Sequence, residues 1–291
     1  MLGIGLHTAW FGLTGLHSVL PMWLTLPMLA WTLAWYNSLQ HETIHGHPWR
    51  DRRLNTALAW APYALWVPYV RYRASHLAHH RDHRLTCPIE DPESWYVTPV
   101  TWRRIGPVGR ALLWANQTLV GRLLLGPPLA IVRYLGAEVL RMWRGDRRVA
   151  MAWLVHGCGA AGVVVWLTMV AGIPLWLYAL AVIYPATALS LLRSYAEHRA
   201  ADAPEHRTAV VQAEAPLAAL FLNNNLHVAH HARPRVPWYR LPETHAALSA
   251  NQVAARGAGL FAGGYWEVMA RFGVRPIDHP IHPSRRAAVA E

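Results

Sequence analysis

The sequence predicts an all-α integral-membrane protein, with four transmembrane helices in two hairpins and a cytoplasmic helical cap. Three observations predict it. Of 291 residues, 54% are hydrophobic and only 15% are charged, against about 25% charged in a soluble domain. The chain holds 16 Trp and 11 Tyr, rings that favour membrane–water interfaces. Its 27 cationic side chains are all Arg, confined to Arg50–Arg148 and Arg193–Arg286. Residues 1–49 and 149–192 hold none and are the most apolar parts of the chain. A net charge of +11 would suit nucleic acid. Cations gathered between apolar runs follow the positive-inside bias instead, so no nucleic-acid partner is expected.

A crossing helix needs ~20 mostly apolar residues to span ~30 Å of hydrocarbon. Residues 2–20 and 22–39 supply the first hairpin, with Pro21 as its hinge. Residues 149–170 and 173–192 supply the second, with Gly172 and Pro174 in a tight turn. The run 54–69 is apolar but broken by Pro62 and Pro68, which reads as a re-entrant or interfacial segment. Residues 103–148 alternate apolar clusters such as Leu123–Leu125 with Arg. That suits an amphipathic helix on the inner leaflet or a helix packed on the cytoplasmic cap. A cytoplasmic N-terminus then puts the C-terminus and every Arg on the cytoplasmic side of the inner membrane. Residues 1–279 read as one domain and 280–291 as a flexible tail. No basic n-region or A-x-A site marks a removable signal peptide. Cys87 and Cys158 match no paired metal or redox spacing, so electrons must come from outside the chain.

The chemistry lies in the histidines. Eight of the 18 form three boxes: His41-Glu-Thr-Ile-His45, His76-Leu-Ala-His79-His80 and His227-Val-Ala-His230-His231. On a helix, residues i, i+3 and i+4 share a face, so each box aims two or three imidazoles one way. Neutral imidazole ligates Fe, Zn or Cu. A single zinc uses three or four protein ligands, whereas eight imidazoles fit two metals. A pair held by nitrogen with open positions suits O2 activation against an unactivated C–H bond. His41–His45 also matches the zinc-protease HExxH motif, but that reading leaves the other two boxes unexplained.

The boxes, set between apolar hairpins, resemble the membrane fatty acid desaturase superfamily, which includes hydroxylases and carotenoid ketolases and has alkane monooxygenases as relatives. The resemblance covers about residues 20–245. It extends to Leu85-Thr86-Cys87-Pro88, Asp91-Pro92-Glu93-Ser94, Asn223-Asn224-Asn225-Leu226 and Pro237-Trp238-Tyr239. It implies four transmembrane helices and a cytoplasmic site of two Fe ions. It also implies a ninth ligand just past the last membrane helix, where His198 stands. The implied reaction takes O2 and two external electrons, with a ferredoxin, a rubredoxin or a similar donor as partner, and desaturates or hydroxylates an alkyl chain of a fatty acyl or other lipid-like substrate. A hydroxylase of a non-acyl small molecule and a membrane metal-binding or transport protein stay open as alternatives.

Metal-bound histidine usually passes its second N–H to a carboxylate or carbonyl. Glu42, Asp82, Glu90, Asp91 and Glu197 are the nearby carboxylates in sequence. One of Asn223–Asn225 is expected either to support a ligand or to cap the helix of the third box. His47 and His83 flank boxes and are read as non-ligands. His7, His17 and His156 fall in the predicted spans. His206, His245, His279 and His282 are expected at the surface.

Overall fold

The computed structural model describes residues 1–81, 84–248 and 257–283. In chain order the helices are α1 (Leu2–Gly15), α2 (Met22–Ile44), α3 (Arg52–Ala59), α4 (Tyr69–His79), α5 (Pro99–Arg104), α6 (Pro107–Asn116), α7 (Leu119–Trp143), α8 (Arg147–Val170) and α9 (Leu175–Glu197). Then come β1 (Thr208–Val211), α10 (Ala215–Leu220), α11 (His227–Ala232), α12 (Leu241–Ala247), β2 (Gly257–Phe261) and α13 (Gly264–Phe272). The chain is mostly helical, but the all-α expectation is corrected by β1 and β2, which pair in parallel with Val210 opposite Leu260. Strands of four and five residues are too short to show a period of two against a helical background.

By length and composition, α7, α8 and α9 are apolar enough to cross a membrane. The last two match the predicted second hairpin, and Gly172 sits between them at φ +73°, a backbone that glycine adopts without strain. Asp146 starts α8 by accepting hydrogen bonds from the amides of Arg148 and Val149. A π-helical turn closes α8 and another lies within α9. The first hairpin differs from expectation. With 14 residues, α1 covers about 21 Å at 1.5 Å per residue, less than the ~30 Å of hydrocarbon. The 23-residue α2 has the length, but its last turns carry Gln40, His41 and Glu42. The stretch 103–148, read as an amphipathic helix on the inner leaflet or a helix packed on the cytoplasmic cap, contains α7, a continuous 25-residue helix through Pro127 and Pro128. Its sparse Arg residues had masked its apolar character.

The chain packs as two compact units. The first comprises Met1–Ala74 and Pro127–Ser190, with α1 against α2 and α2 against α3. Trp10 is its centre: the indole stacks on Tyr63 at 4.2 Å and donates to the Tyr178 hydroxyl at 2.9 Å. That hydroxyl in turn donates to the Tyr63 carbonyl. His7 lies 2.7 Å from the Tyr63 hydroxyl and 2.9 Å from the Leu58 carbonyl, and His156 2.9 Å from the Leu65 carbonyl. These two histidines therefore serve local polar satisfaction, which an apolar surround makes obligatory. Arg71, in the first turns of α4, donates twice to the buried Glu138 of α7, at 2.8 Å each.

The second unit comprises Ser75–Gly126 and the chain from Leu191 onward. The β1–β2 pair lies at its centre, with Ala209, Val210, Val211 and Phe261 buried and α11 packed on β1. Arg122 caps the Asn116 carbonyl at 3.0 Å and lies 4.3 Å over the Trp95 ring.

Candidate metal centre

Three stretches of the second unit bring histidines together: the end of α4, the residue after α9, and α11. The buried His76 and His79 lie in the last turns of α4, with His80 just beyond. His227, His230 and His231 lie along α11. His198 follows α9 and pairs with Thr208 of β1 in an isolated bridge. Seven of the nine predicted ligands thus belong to this unit, and they gather in two groups. His79, His198, His227 and His231 form one, and His76, His80 and His230 the other.

The boxes are exchanged between the groups by helical geometry. At about 100° per residue, position i+4 lies about 40° to one side of i and position i+3 about 60° to the other. In each HxxHH box the i and i+4 residues stay together while i+3 crosses over. His76 and His80 are joined by His230; His227 and His231 are joined by His79.

The donor chemistry fits a metal ion. Burial pushes the imidazoles of His76, His198, His227 and His231 well below the usual histidine range, so they are neutral, the form that binds metal. A backbone carbonyl only accepts hydrogen bonds. His198 Nδ1–H therefore donates to the Arg207 carbonyl (3.3 Å) and His227 Nδ1–H to the Asn224 carbonyl (3.1 Å). Both Nε2 atoms then carry lone pairs, and these face each other at 2.8 Å, with His79 Nε2 3.0 Å from His198 Nε2. In the other group, His80 Nε2 lies 3.0 Å from His76 Nε2 and 3.1 Å from His230 Nε2. Facing lone pairs repel unless a shared cation takes both. Imidazole–metal bonds of about 2.0–2.1 Å place neighbouring ligand nitrogens about 2.9–3.4 Å apart, close to these spacings.

Carboxylates orient the rings. Both Asp91 oxygens lie 3.0 Å from His79 Nδ1, and the same oxygens accept from the amides of Thr86 and Glu93 at 2.8 Å. Burial pushes the His79 pKa down, but the charges of Asp91 and Glu93 outweigh it and lift it to about 9. Glu93 Oε1 lies 3.2 Å from His76 Nδ1. Glu197 Oε2 lies 3.5 Å from His227 Nδ1 and 3.7 Å from Arg193 Nη1. Among the expected carboxylates, Asp91 and Glu197 meet histidines of this unit and Glu42 lies 4.0 Å from His41 Nδ1 in the first unit, whereas Glu90 faces Arg84 at 3.6 Å. Asp82 and His83 lie outside the described residues. Glu93 was missed, although it stands two residues past Asp91 in the same acidic turn. Of the two Asn readings, the helix cap is corrected: α11 has no side-chain cap, and the Asn224 carbonyl accepts from His227. His282, expected at the surface, is 2% exposed with Nε2 2.9 Å from Thr86 Oγ1. His245 is half-buried, while His206 and His279 are exposed as expected.

The first box belongs to the first unit. His41 and Glu42 are buried in the last turn of α2, His45 caps the helix, and the two imidazoles lie 4.8 Å apart. Gly46, at φ +96°, takes the left-handed position that ends helices.

The fatty acid desaturase family model matches residues 17–263. No curated protein matches the chain. The match spans all three boxes and His198, and the chain belongs to the fatty acid desaturase family.

Proposed function

We propose that this protein is a membrane di-iron enzyme that uses O2 to desaturate or hydroxylate an alkyl chain of a fatty acyl or other lipid-like substrate. The carrying observation is the paired convergence of neutral imidazoles in the second unit. Family membership supports it, because the family oxidises lipid chains with oxygen. The proposed ligands are His41, His45, His76, His79, His80, His198, His227, His230 and His231. Two iron ions so held supply, with O2 and two external electrons, the oxidising power to take hydrogen from an unactivated C–H bond.

The chain's own groups have definite tasks in this reading. Asp91 and the carbonyls of Arg207 and Asn224 hold the Nδ1 protons of His79, His198 and His227. The Nε2 lone pairs of His198 and His227 are thereby left for the cation, and His79 Nε2 releases its proton when the cation binds. Burial of His76, His79, His227 and His230 excludes water, which would otherwise compete for open metal positions. Asp91 and Glu93 place negative charge behind the ligands and so offset the positive charge of two cations. Alkyl substrate, O2, two electrons and two protons then balance as alkene and two waters, or as alcohol and one water. The electrons come from a separate ferredoxin, rubredoxin or similar acidic donor, attracted by exposed arginines such as Arg103 and Arg104. The membrane is the cytoplasmic one with both termini inside, following the Arg distribution.

The experiment is mass-spectrometric lipid profiling of cells expressing the protein with iron and a co-expressed ferredoxin system, against cells expressing His80→Ala. A new lipid lighter by two hydrogens is the signature of desaturation, and one heavier by an oxygen that of hydroxylation. Identical profiles, in cells where the purified protein carries two irons, would exclude the lipid substrate.

A further inference from the structure

The family match ends at residue 263, yet the segment after α13 turns back to the residues that support the histidines. The Gly273 carbonyl accepts from the Val120 amide at 2.9 Å, and the Ile277 amide donates to the Gln117 carbonyl at 2.8 Å. Two branches leave from there. In the first, Asp278 Oδ1 accepts from Arg199 Nη2 at 2.7 Å, and Oδ2 accepts from the Tyr96 hydroxyl at 2.7 Å and the Ala200 amide at 3.2 Å. Arg199 also donates to the Ile277 carbonyl at 3.0 Å. Arg199 and Ala200 directly follow His198, so this branch fixes the backbone that carries that imidazole.

In the second branch, the Val97 amide donates to the Pro280 carbonyl and the His282 amide to the Val97 carbonyl, at 3.0 and 3.1 Å. This seats the buried His282 ring against the Thr86 hydroxyl at 2.9 Å. Thr86 holds φ at +61°, a region that a β-branched residue enters only when its surroundings impose it. His282 holds its side chain, and Asp91 accepts from its amide at 2.8 Å. Asp91 is the carboxylate that orients His79. The two branches therefore end on two members of one histidine group.

We propose that residues 273–282 form a clamp that positions His79 and His198 for metal, with Asp278 and His282 as its positioning residues. The clamp rests on the metal-centre reading above. Its effect is selective: one branch ends on Arg199 and Ala200 beside His198, the other on Thr86 and through it on Asp91 behind His79, and both histidines belong to one group.

The test is cobalt titration of the full-length, metal-stripped protein in detergent, with visible absorption reporting each site and far-ultraviolet circular dichroism reporting helicity. Wild type takes up two ions. Asp278→Ala and His282→Ala weaken one of the two sites about tenfold, the lower end of the range for groups supporting metal ligands, and leave the other site and the helicity unchanged. His282→Gln, which keeps a polar partner for Thr86, restores most of the affinity. Two unaltered sites in both alanine variants would overturn the clamp. So would loss of both sites together with helicity, because the contacts would then serve folding at large. A wild type that takes up no cobalt overturns the metal-centre reading, and the clamp with it.

Discussion

The two histidine groups of the second unit are built from the same two boxes yet are supported by different surroundings. His79 leans on Asp91, whose side chain is 1% exposed and is held by two backbone amides. In the same group, His198 and His227 donate to backbone carbonyls. His76, in the other group, leans on Glu93, whose side chain is 33% exposed. A carboxylate fixed by amides in a dry surround has one position, whereas one reached by water has several and is screened. The comparison separates ligand identity, which both groups share, from ligand preorganisation, which only the first has in full.

The largest expected effect ignores this difference. On the proposed ligand set, replacing any single histidine removes a metal–nitrogen bond, so His79→Ala and His230→Ala each take lipid oxidation to background while membrane insertion is retained. The two variants differ in metal analysis only by which site they empty. Full product formation in either would remove that residue from the ligand set.

The boxes were legible because helical spacing is visible in a string of letters: His76, His79 and His80 fall on one helix, and so do His227, His230 and His231. Their exchange was not, since it requires knowing that the i+3 residue of each box faces away from the i+4 residue toward a helix distant in sequence. His198 was legible only through family resemblance, because a lone histidine after an apolar helix has no pattern of its own. Glu93 and His282 escaped for related reasons. Glu93 stands in a short acidic run with no spacing that ties it to His76, and His282 lies in a stretch with no periodicity, seated where Val97 pairs with Ile281 from far along the chain. For the fold, the second apolar hairpin was plain. Leu119–Trp143 was not, because Arg122, Arg133 and Arg141 mark it as amphipathic when hydropathy is read residue by residue.

The next effect tests preorganisation at the first group. Asp91→Asn keeps the shape and one hydrogen-bond acceptor but removes the charge behind His79. Affinity at that site falls about 10–100-fold, as is typical for the partner of a metal-bound histidine, and the other site keeps its wild-type affinity. Calorimetric or absorption-monitored metal titration measures both. Equal weakening of both sites would mean that Asp91 acts through overall charge and not through His79.

Glu93→Gln is the smallest of the series and the most informative about burial. Glu93 contacts His76 Nδ1 at 3.2 Å, close to the 3.0 Å of Asp91 from His79, so distance alone predicts similar losses. Exposure predicts otherwise: water replaces part of what the carboxylate gives, and the affinity of the His76 group falls only about threefold, below the usual range for such partners. The same substitution leaves the backbone amide of Glu93 bonded to Asp91, so the contact that orients His79 is kept. A loss at the His76 group as large as that of Asp91→Asn would show that the contact, not its burial, sets the strength of support. The contrast between the two groups would then reduce to ligand number alone.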